Sequence, residues 1–405
     1  MVGAPADSRW TRTDPLGASL RLTFVLWRHP CCRVTPTRRH RAEKRTSPLV
    51  RRGTTPVTTT WPWPAGGCGA SRYDVGMTGL LGFTSGYRAM EQCDTLLMLG
   101  TDFPYRQFLP EHATTVQVDL RGEQIGRRTR VDLALVGTVR DTAEALLPKL
   151  APRSGSRHLD KMRDHYVSAR ATLDRLAVDD RNRTPIHPQY VAKVVDELAS
   201  DDVVFIPDVG SPVIWAARYL TMNGRRRLIG SFNHGSMANA LPQAIGAQAA
   251  FADRQVVALS GDGGLAMMLG DLITLKQQRH PVKIVVFNNG ALSFVELEMK
   301  AEGMVNFGTD LDNPNFADVA TALGIHGRRV ERPHDLADVL RDAFAHPGPA
   351  LVEVMTAQQE LTIPPTIKFE QVKGFALYAA RTVLSGRGDE LLELAHTNVV
   401  RHLSS

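Results

Sequence analysis

The sequence predicts an α/β protein with a doubly wound parallel sheet. Three observations predict it. Residues 255–291 read as a short β-branched apolar run, a Gly-Asp-Gly-Gly turn, a stretch of helical period, a second apolar run and an Asn-Asn-Gly turn. From residue 188 to residue 355, short apolar runs alternate with helix-length amphipathic stretches. Polar, glycine-bearing turns follow the strand-like runs, at the strand ends where open parallel sheets take their ligands.

The 405-residue length predicts two or three domains. Its net charge of +6 is uneven. Residues 1–72 hold twelve Arg and one Lys against Asp7, Asp14 and Glu43, a local charge of +10 that leaves the remainder at −4. Trp10, Trp27, Trp61, Trp63, Cys31, Cys32 and Cys68 also fall there, so a boundary is expected near Arg72. Residues 1–72 are read as a basic, disordered leader, or as a mis-assigned start. Residues 19–27 are a strand-like run; short, preceded by acidic residues and followed by no small-residue cleavage site, they do not read as a signal peptide. The basic run 38–52 could touch nucleic acid or anionic lipid, but charge runs without a folded frame are usually solvated, and no nucleic-acid partner is expected. No apolar run reaches the roughly 18 residues of a spanning helix. Cys93, alone in the globular part, suits a reducing cytoplasm.

The elements follow in order. In 73–150, a loop spaced by Gly76, Gly79 and Gly82 precedes a helix at 85–93 and a strand at 95–99. Strands at 115–120 and 131–136 and a helix at 138–150 complete an α/β half-domain. Its polar turns, Thr78-Gly79-Leu80 and Gly100-Thr101-Asp102-Phe103-Pro104, could lie along a dinucleotide, with Asp119 on a ribose hydroxyl. Residues 151–185 are a linker with a helix at 158–176. In 186–359 the expected elements are a helix at 189–199, a strand at 203–206, a turn at Asp208, a helix at 212–219, a strand at 228–230 and a helix at 236–251. Strands at 255–260 and 282–287 flank a helix at 265–278. Elements at 316–323, 333–345 and 350–355 close the sheet. Residues 360–405 carry two amphipathic stretches, the first with Phe369, Val372, Ala376, Ala379 and Val383 on one face, broken at Gly386 and Gly388.

The two central turns suit a metal diphosphate. Asp262 offers a carboxylate and Asn289 an amide carbonyl, both hard oxygen donors for Mg²⁺, and the carbonyl of Ala291 could be a third. Gly263 and Gly264 let the backbone approach phosphate closely. A glycine-rich turn alone is a weak signal. The paired turns, one crossover helix and return strand apart, are far more specific.

GDGG followed at that distance by NN resembles the diphosphate–magnesium motif of thiamine-diphosphate enzymes. The runs GSFNHGSMAN (230–239), FNNGALSFVELEMK (287–300) and GFALYAARTVLSGRGDELLELAHTN (374–398) are similar to the pyruvate dehydrogenase (quinone) or pyruvate oxidase family, over residues 73–402. The resemblance implies thiamine diphosphate at Gly235, Ser236, Met237, Asp262, Gly263, Gly264, Asn289, Gly290, Ala291, Leu292, Ser293, Phe294 and Val295. Phe294 would face the thiamine. Mg²⁺ would sit on Asp262, Asn289 and the Ala291 carbonyl. FAD would lie on Thr78, Gly79, Leu80, Gly100, Thr101, Asp102, Phe103, Pro104 and Asp119. His234 reads as a structural hydrogen-bonder, and Glu296 and Glu298 as helix-surface residues.

The implied reaction is oxidative decarboxylation of pyruvate to acetate and carbon dioxide, with electrons passed through FAD to membrane ubiquinone. The implied state is a homotetramer held peripherally, by the 360–405 tail, on the anionic inner face of the cell membrane. The family's pyrimidine-binding domain, which carries the catalytic glutamate, and the first part of the FAD domain are expected to be missing. Activity is therefore expected to be impaired, and no general acid or base is assigned. An acetolactate-synthase-like carboligase and a non-catalytic fragment that only binds partners are the alternatives.

Overall fold

A computed structural model describes residues 22–26, 57–59, 73–150, 156–179, 184–358, 360, 369–385 and 388–395. Two six-stranded, wholly parallel sheets organise it. In the first, β1 (Leu22–Leu26), β2 (Val57–Thr59), β3 (Asp74–Met77), β4 (Thr95–Leu99), β5 (Thr114–Asp119) and β6 (Leu133–Val136) stand in the order β3-β2-β1-β4-β5-β6. This is the order of a dinucleotide-type doubly wound sheet.

The sheet corrects the reading of 1–72 as a disordered leader outside the fold. Phe24 pairs with Leu97 of β4 on one side and with Val57 of β2 on the other, and Val57 pairs in turn with Asp74. Two strands from that segment thus stand between β3 and β4. The basic run 38–52 lies outside the described residues.

The second sheet comprises β7 (Val204–Pro207), β8 (Arg227–Leu228), β9 (Val256–Gly261), β10 (Lys283–Asn288), β11 (His326–Val330) and β12 (Ala350–Met355), in the order β8-β7-β9-β10-β12-β11. Side-chain alternation along the strands sorts its core into two faces. Phe205, Val257, Leu259, Val285 and Phe287 pack under the helices Pro188–Leu198, Ser211–Tyr219 and Leu336–Ala345. Val204, Ile206, Val256, Ala258, Ile284 and Val286 pack under Ala240–Ala250, Asp271–Gln278 and Phe316–Ala322. Burial on both faces is why these strands read as continuous apolar runs.

Several elements differ from expectation. The helix expected at 265–278 is two, Asp262–Met267 and Asp271–Gln278, interrupted before Gly270. Glu296 is not on the surface: it is buried, paired with Lys300 at 3.1 Å and accepting a hydrogen bond from the Thr309 hydroxyl at 3.1 Å. Glu298 is exposed, as expected.

The C-terminal helices are Phe369–Leu384 and Gly388–Ala395. The first docks on the helix Ser293–Ala301 through Gly374, Tyr378 and Thr382, all buried, rather than through Ala376 and Val383, which are exposed. A Cβ at Gly374 would lie 1.7 Å from the Ala301 carbonyl, so only glycine permits this approach. Arg381 donates to the Gly303 carbonyl at 2.7 Å.

Candidate functional site

The C-terminal ends of β7, β9 and β10, three adjacent strands, converge at the point where the strand order reverses. Each contributes a polar side chain. Asp208 follows β7, Asp262 follows β9, and Asn288 with Asn289 ends β10.

Asp262 is buried and opens a helix. Its Oδ1 accepts from the Gly263 amide at 2.8 Å. Its Oδ2 accepts from the Gly290 amide at 2.8 Å and from Asn313 Nδ2 at 2.9 Å. Burial raises its pKa, and these hydrogen bonds oppose the rise. The structure therefore joins the two turns that the sequence paired. Asn289 donates from Nδ2 to the Ser293 hydroxyl, and its Oδ1 accepts from the Ala291 amide at 3.3 Å. Ala291 forms an antiparallel bridge with Asp310, and the Gly290 carbonyl accepts from Leu311 at 2.8 Å, so the segment 309–313 braces the turn.

The donor set fits a magnesium diphosphate. One carboxylate, one amide oxygen and one backbone carbonyl are hard oxygen ligands. Such a set contains a single acidic side chain, Asp262; among the described residues no group of three His, Cys, Asp or Glu could hold a metal ion. The glycines fit as well. A Cβ on Gly264 would lie 1.8 Å from Asp208 Oδ2, and one on Gly263 would crowd Leu292 and Leu311. Asp208 is fully buried. Its Oδ1 accepts from the amides of Val209 and Asn239, each at 3.0 Å, while its Oδ2 has no hydrogen-bond partner among the described residues. Burial pushes Asp208 up to about 6, against the pull of the surrounding amides, that of Asn239 foremost.

Other expected site residues gather at the same end. Gly235, Ser236 and Met237 lie on the exposed loop before Asn239, with the Met237 methyl beside Gly263. His234 is exposed on that loop. Leu292, Ser293 and Phe294 are half-buried and Val295 is exposed; Phe294 packs against the core under the helix Pro188–Leu198. Sequence reasoning passed over Asp208, Asn313 and Glu353. Asp208 carries a usable signal, an acid after a strand-like run and before a glycine turn, as Asp262 is. Asn313 and Glu353 reach the site only through tertiary contacts.

In the first sheet, Thr78, Gly79 and Leu80 follow β3, Gly100 to Pro104 follow β4, and Asp119 ends β5. Gly79 has φ +100° and lies against the Phe103 ring, which brings the first two turns together. The hydroxyls of Thr78 and Thr101 are buried without partners among the described residues, an arrangement open to a polar ligand. Asp102 is held by Arg128 at 2.8 Å and 3.1 Å, Asp119 Oδ1 accepts from the Arg121 amide at 2.9 Å, and Leu80 is exposed.

Comparison with known proteins agrees with this geometry. Residues 208–354 match the model of the thiamine pyrophosphate enzyme C-terminal TPP-binding domain, and residues 35–146 match the central domain of the same enzymes. The central-domain match starts inside the segment first read as a leader. The chain is 32% identical over 320 residues to YdaP of Bacillus subtilis, a candidate thiamine pyrophosphate-containing protein, covering 79% of this chain and 55% of that one. It is 30% identical over 307 residues to an acetolactate synthase of Mycobacterium bovis, covering 72% and 49%. It is 28% identical over 308 residues to a pyruvate oxidase of Lactiplantibacillus plantarum, covering 74% and 51%. The chain thus spans about half the length of these relatives.

Proposed function

Because the chain belongs to the thiamine pyrophosphate enzyme family, carrying its central and C-terminal domains, we propose that it acts in the oxidative decarboxylation of pyruvate to acetate, passing electrons through FAD to a membrane quinone. The observation that carries the cofactor part is the contact of Asp262 Oδ2 with the Gly290 amide, which ties the GDGG turn to the NNG turn. Asp262, Asn289 and the Ala291 carbonyl would hold Mg²⁺ for the diphosphate end of the cofactor. Gly263 and Gly264 keep the floor of the site free of side chains, and Leu292, Leu311 and Met237 stand beside Gly263 on its apolar side.

Thiamine diphosphate, when bound, supplies an electron sink that lets carbon dioxide leave a 2-keto acid. This chain's own residues bind and orient the charged end of the cofactor. FAD would be held at the turns after β3 and β4, by the buried hydroxyls of Thr78 and Thr101 and by Asp119 at the end of β5.

The membrane part of the reading is supported by exposed apolar side chains on the C-terminal helices: Leu377, Val383, Leu384 and Leu392. They suit an interfacial contact. Among the described residues no helix is long and apolar enough to cross a membrane. The working assembly in this proposal is a homotetramer at the inner face of the cell membrane.

An acetolactate-forming reaction is the second reading, favoured by the 30% identity to acetolactate synthases. Supplying pyruvate with a quinone, and separately with no electron acceptor, distinguishes the two. Acetate formed with quinone reduction supports the first; acetolactate formed without an acceptor supports the second. Liposome flotation tests the membrane contact. Binding to anionic vesicles should be salt-sensitive and lost on truncation after Pro365, and equal binding without the tail removes this part of the proposal.

A further inference from the structure

Glu353 lies on β12, in register with Val286 of β10 on one side and Arg329 of β11 on the other. It is fully buried. A carboxylate removed from water is costly unless its oxygens are satisfied. Here they are: Oε1 accepts from Asn288 Nδ2 at 2.7 Å and from Arg329 Nη1 at 3.3 Å, and Oε2 accepts from the Ala317 amide at 3.2 Å.

The contact with Asn288 has a directional consequence. Glu353 Oε1 accepts there from Asn288 Nδ2, so the Asn288 amide presents its NH₂ to Glu353. Its carbonyl is thereby committed to the opposite side, where Oδ1 accepts from Asn313 Nδ2 at 3.1 Å and from the Gly290 amide at 3.3 Å. Those same two donors also reach Asp262 Oδ2, at 2.9 Å and 2.8 Å. A flipped Asn288 amide would set its NH₂ against both donors and leave Asp262 as their sole acceptor.

We propose that Glu353 is a positioning residue for the metal turn: by fixing the Asn288 amide, it sets Asn313 and the Gly290 amide, and through them the orientation of Asp262 and the course of the Asn289–Ala291 ligand segment. The chain of contacts runs from Arg329 through Glu353 and Asn288 to Asp262. This rests on Asp262 and Asn289 being the Mg²⁺ ligands. Groups that orient metal ligands without touching the metal typically change affinity by about 10- to 100-fold when altered.

The test titrates Mg²⁺ into the purified full chain at a fixed thiamine diphosphate concentration and reads quenching of intrinsic fluorescence. Wild type and Asp262→Ala define the full and the abolished response. Glu353→Gln, which keeps the shape but replaces one acceptor oxygen with a donor, should raise the Mg²⁺ midpoint about tenfold. Asn288→Ala should raise it similarly, and the Glu353→Gln/Asn288→Ala double variant should be no worse than Asn288→Ala, because Glu353 acts through Asn288. A purely structural role would instead lower the metal-free melting temperature while leaving the midpoint of the folded fraction in place. Should Glu353→Gln fail to fold, Asn288→Ala decides. An unshifted midpoint in either folded variant, or multiplying shifts in the double variant, overturns the relay. A wild-type chain with no Mg²⁺-dependent quenching overturns the ligand assignment and the relay together; a normal wild type beside an unshifted Glu353→Gln overturns the relay alone.

Discussion

Replacing Gly264 by Ala is the sharpest structural perturbation of the site. The added methyl would stand 1.8 Å from Asp208 Oδ2 and 2.9 Å from its Cγ, far inside ordinary contact. Gly264 cannot retreat easily, since it belongs to a buried helix that starts at the end of β9. Asp208 cannot retreat without loosening its bonds to the Val209 and Asn239 amides. Overpacking of this kind costs about 1–3 kcal/mol, and a weakened charged hydrogen bond adds about 1.5–3 kcal/mol. We therefore expect Gly264→Ala to lose about 3 kcal/mol in denaturant unfolding without metal. Asp208→Ala removes the obstructing oxygen, so the Asp208→Ala/Gly264→Ala double variant should recover at least about 1 kcal/mol relative to the sum of the single losses. Wild-type stability in Gly264→Ala, or strict additivity in the double variant, would refute the contact on which this account of the cradle rests.

Other predictions follow from the same geometry. Asp208 is raised from 3.8 to about 6 by burial, so between those values the native state holds a proton that the unfolded chain has released. Its burial penalty is absent below 3.8 and complete above about 6, which amounts to about 3 kcal/mol of stability lost as pH rises through that window. In metal-free protein, Asp208→Asn should remove that component; the same pH dependence in wild type and variant would assign it elsewhere. Deleting residues 1–72 removes β1 and β2, strips β3 of its partner strand and exposes an edge of β4. The truncated chain should lose cooperative unfolding or become insoluble, and an unchanged melting curve would contradict the pairing of β1 with β4.

The unit at 255–291 was legible because each of its signals is local: β-branched runs, glycine turns and a spacing matched to one crossover. The same holds for β4 and β12, which lie at the positions the sequence predicts. What escaped is non-local. β1 falls inside the strand-like run 19–27, but β2 sits among Arg, Thr and Pro residues with no sustained period, and the strands that tie the pair into the sheet, β4 and β3, lie beyond the segment. Glu296 reads as a helix-surface residue from its own stretch alone; it is buried by contacts with Lys300 and with the distant Thr309, and Lys300 in turn lies over the Tyr378 ring of the helix Phe369–Leu384. That docking face escaped for a related reason, because Gly374 and Thr382 add nothing to an apolar count, yet small residues permit the closest approach. Asp208 was visible as a strand-end acid, whereas the roles of Asn313 and Glu353 depend on distances that no spacing encodes.

The central claim is that Asp262 and the Asn289–Ala291 segment form a magnesium diphosphate site. Isothermal titration of thiamine diphosphate into wild type and Asp262→Ala, each with Mg²⁺ and with EDTA, tests it most directly. The account predicts saturable heat only for wild type with Mg²⁺. Equal binding by Asp262→Ala, or by wild type in EDTA, would contradict it.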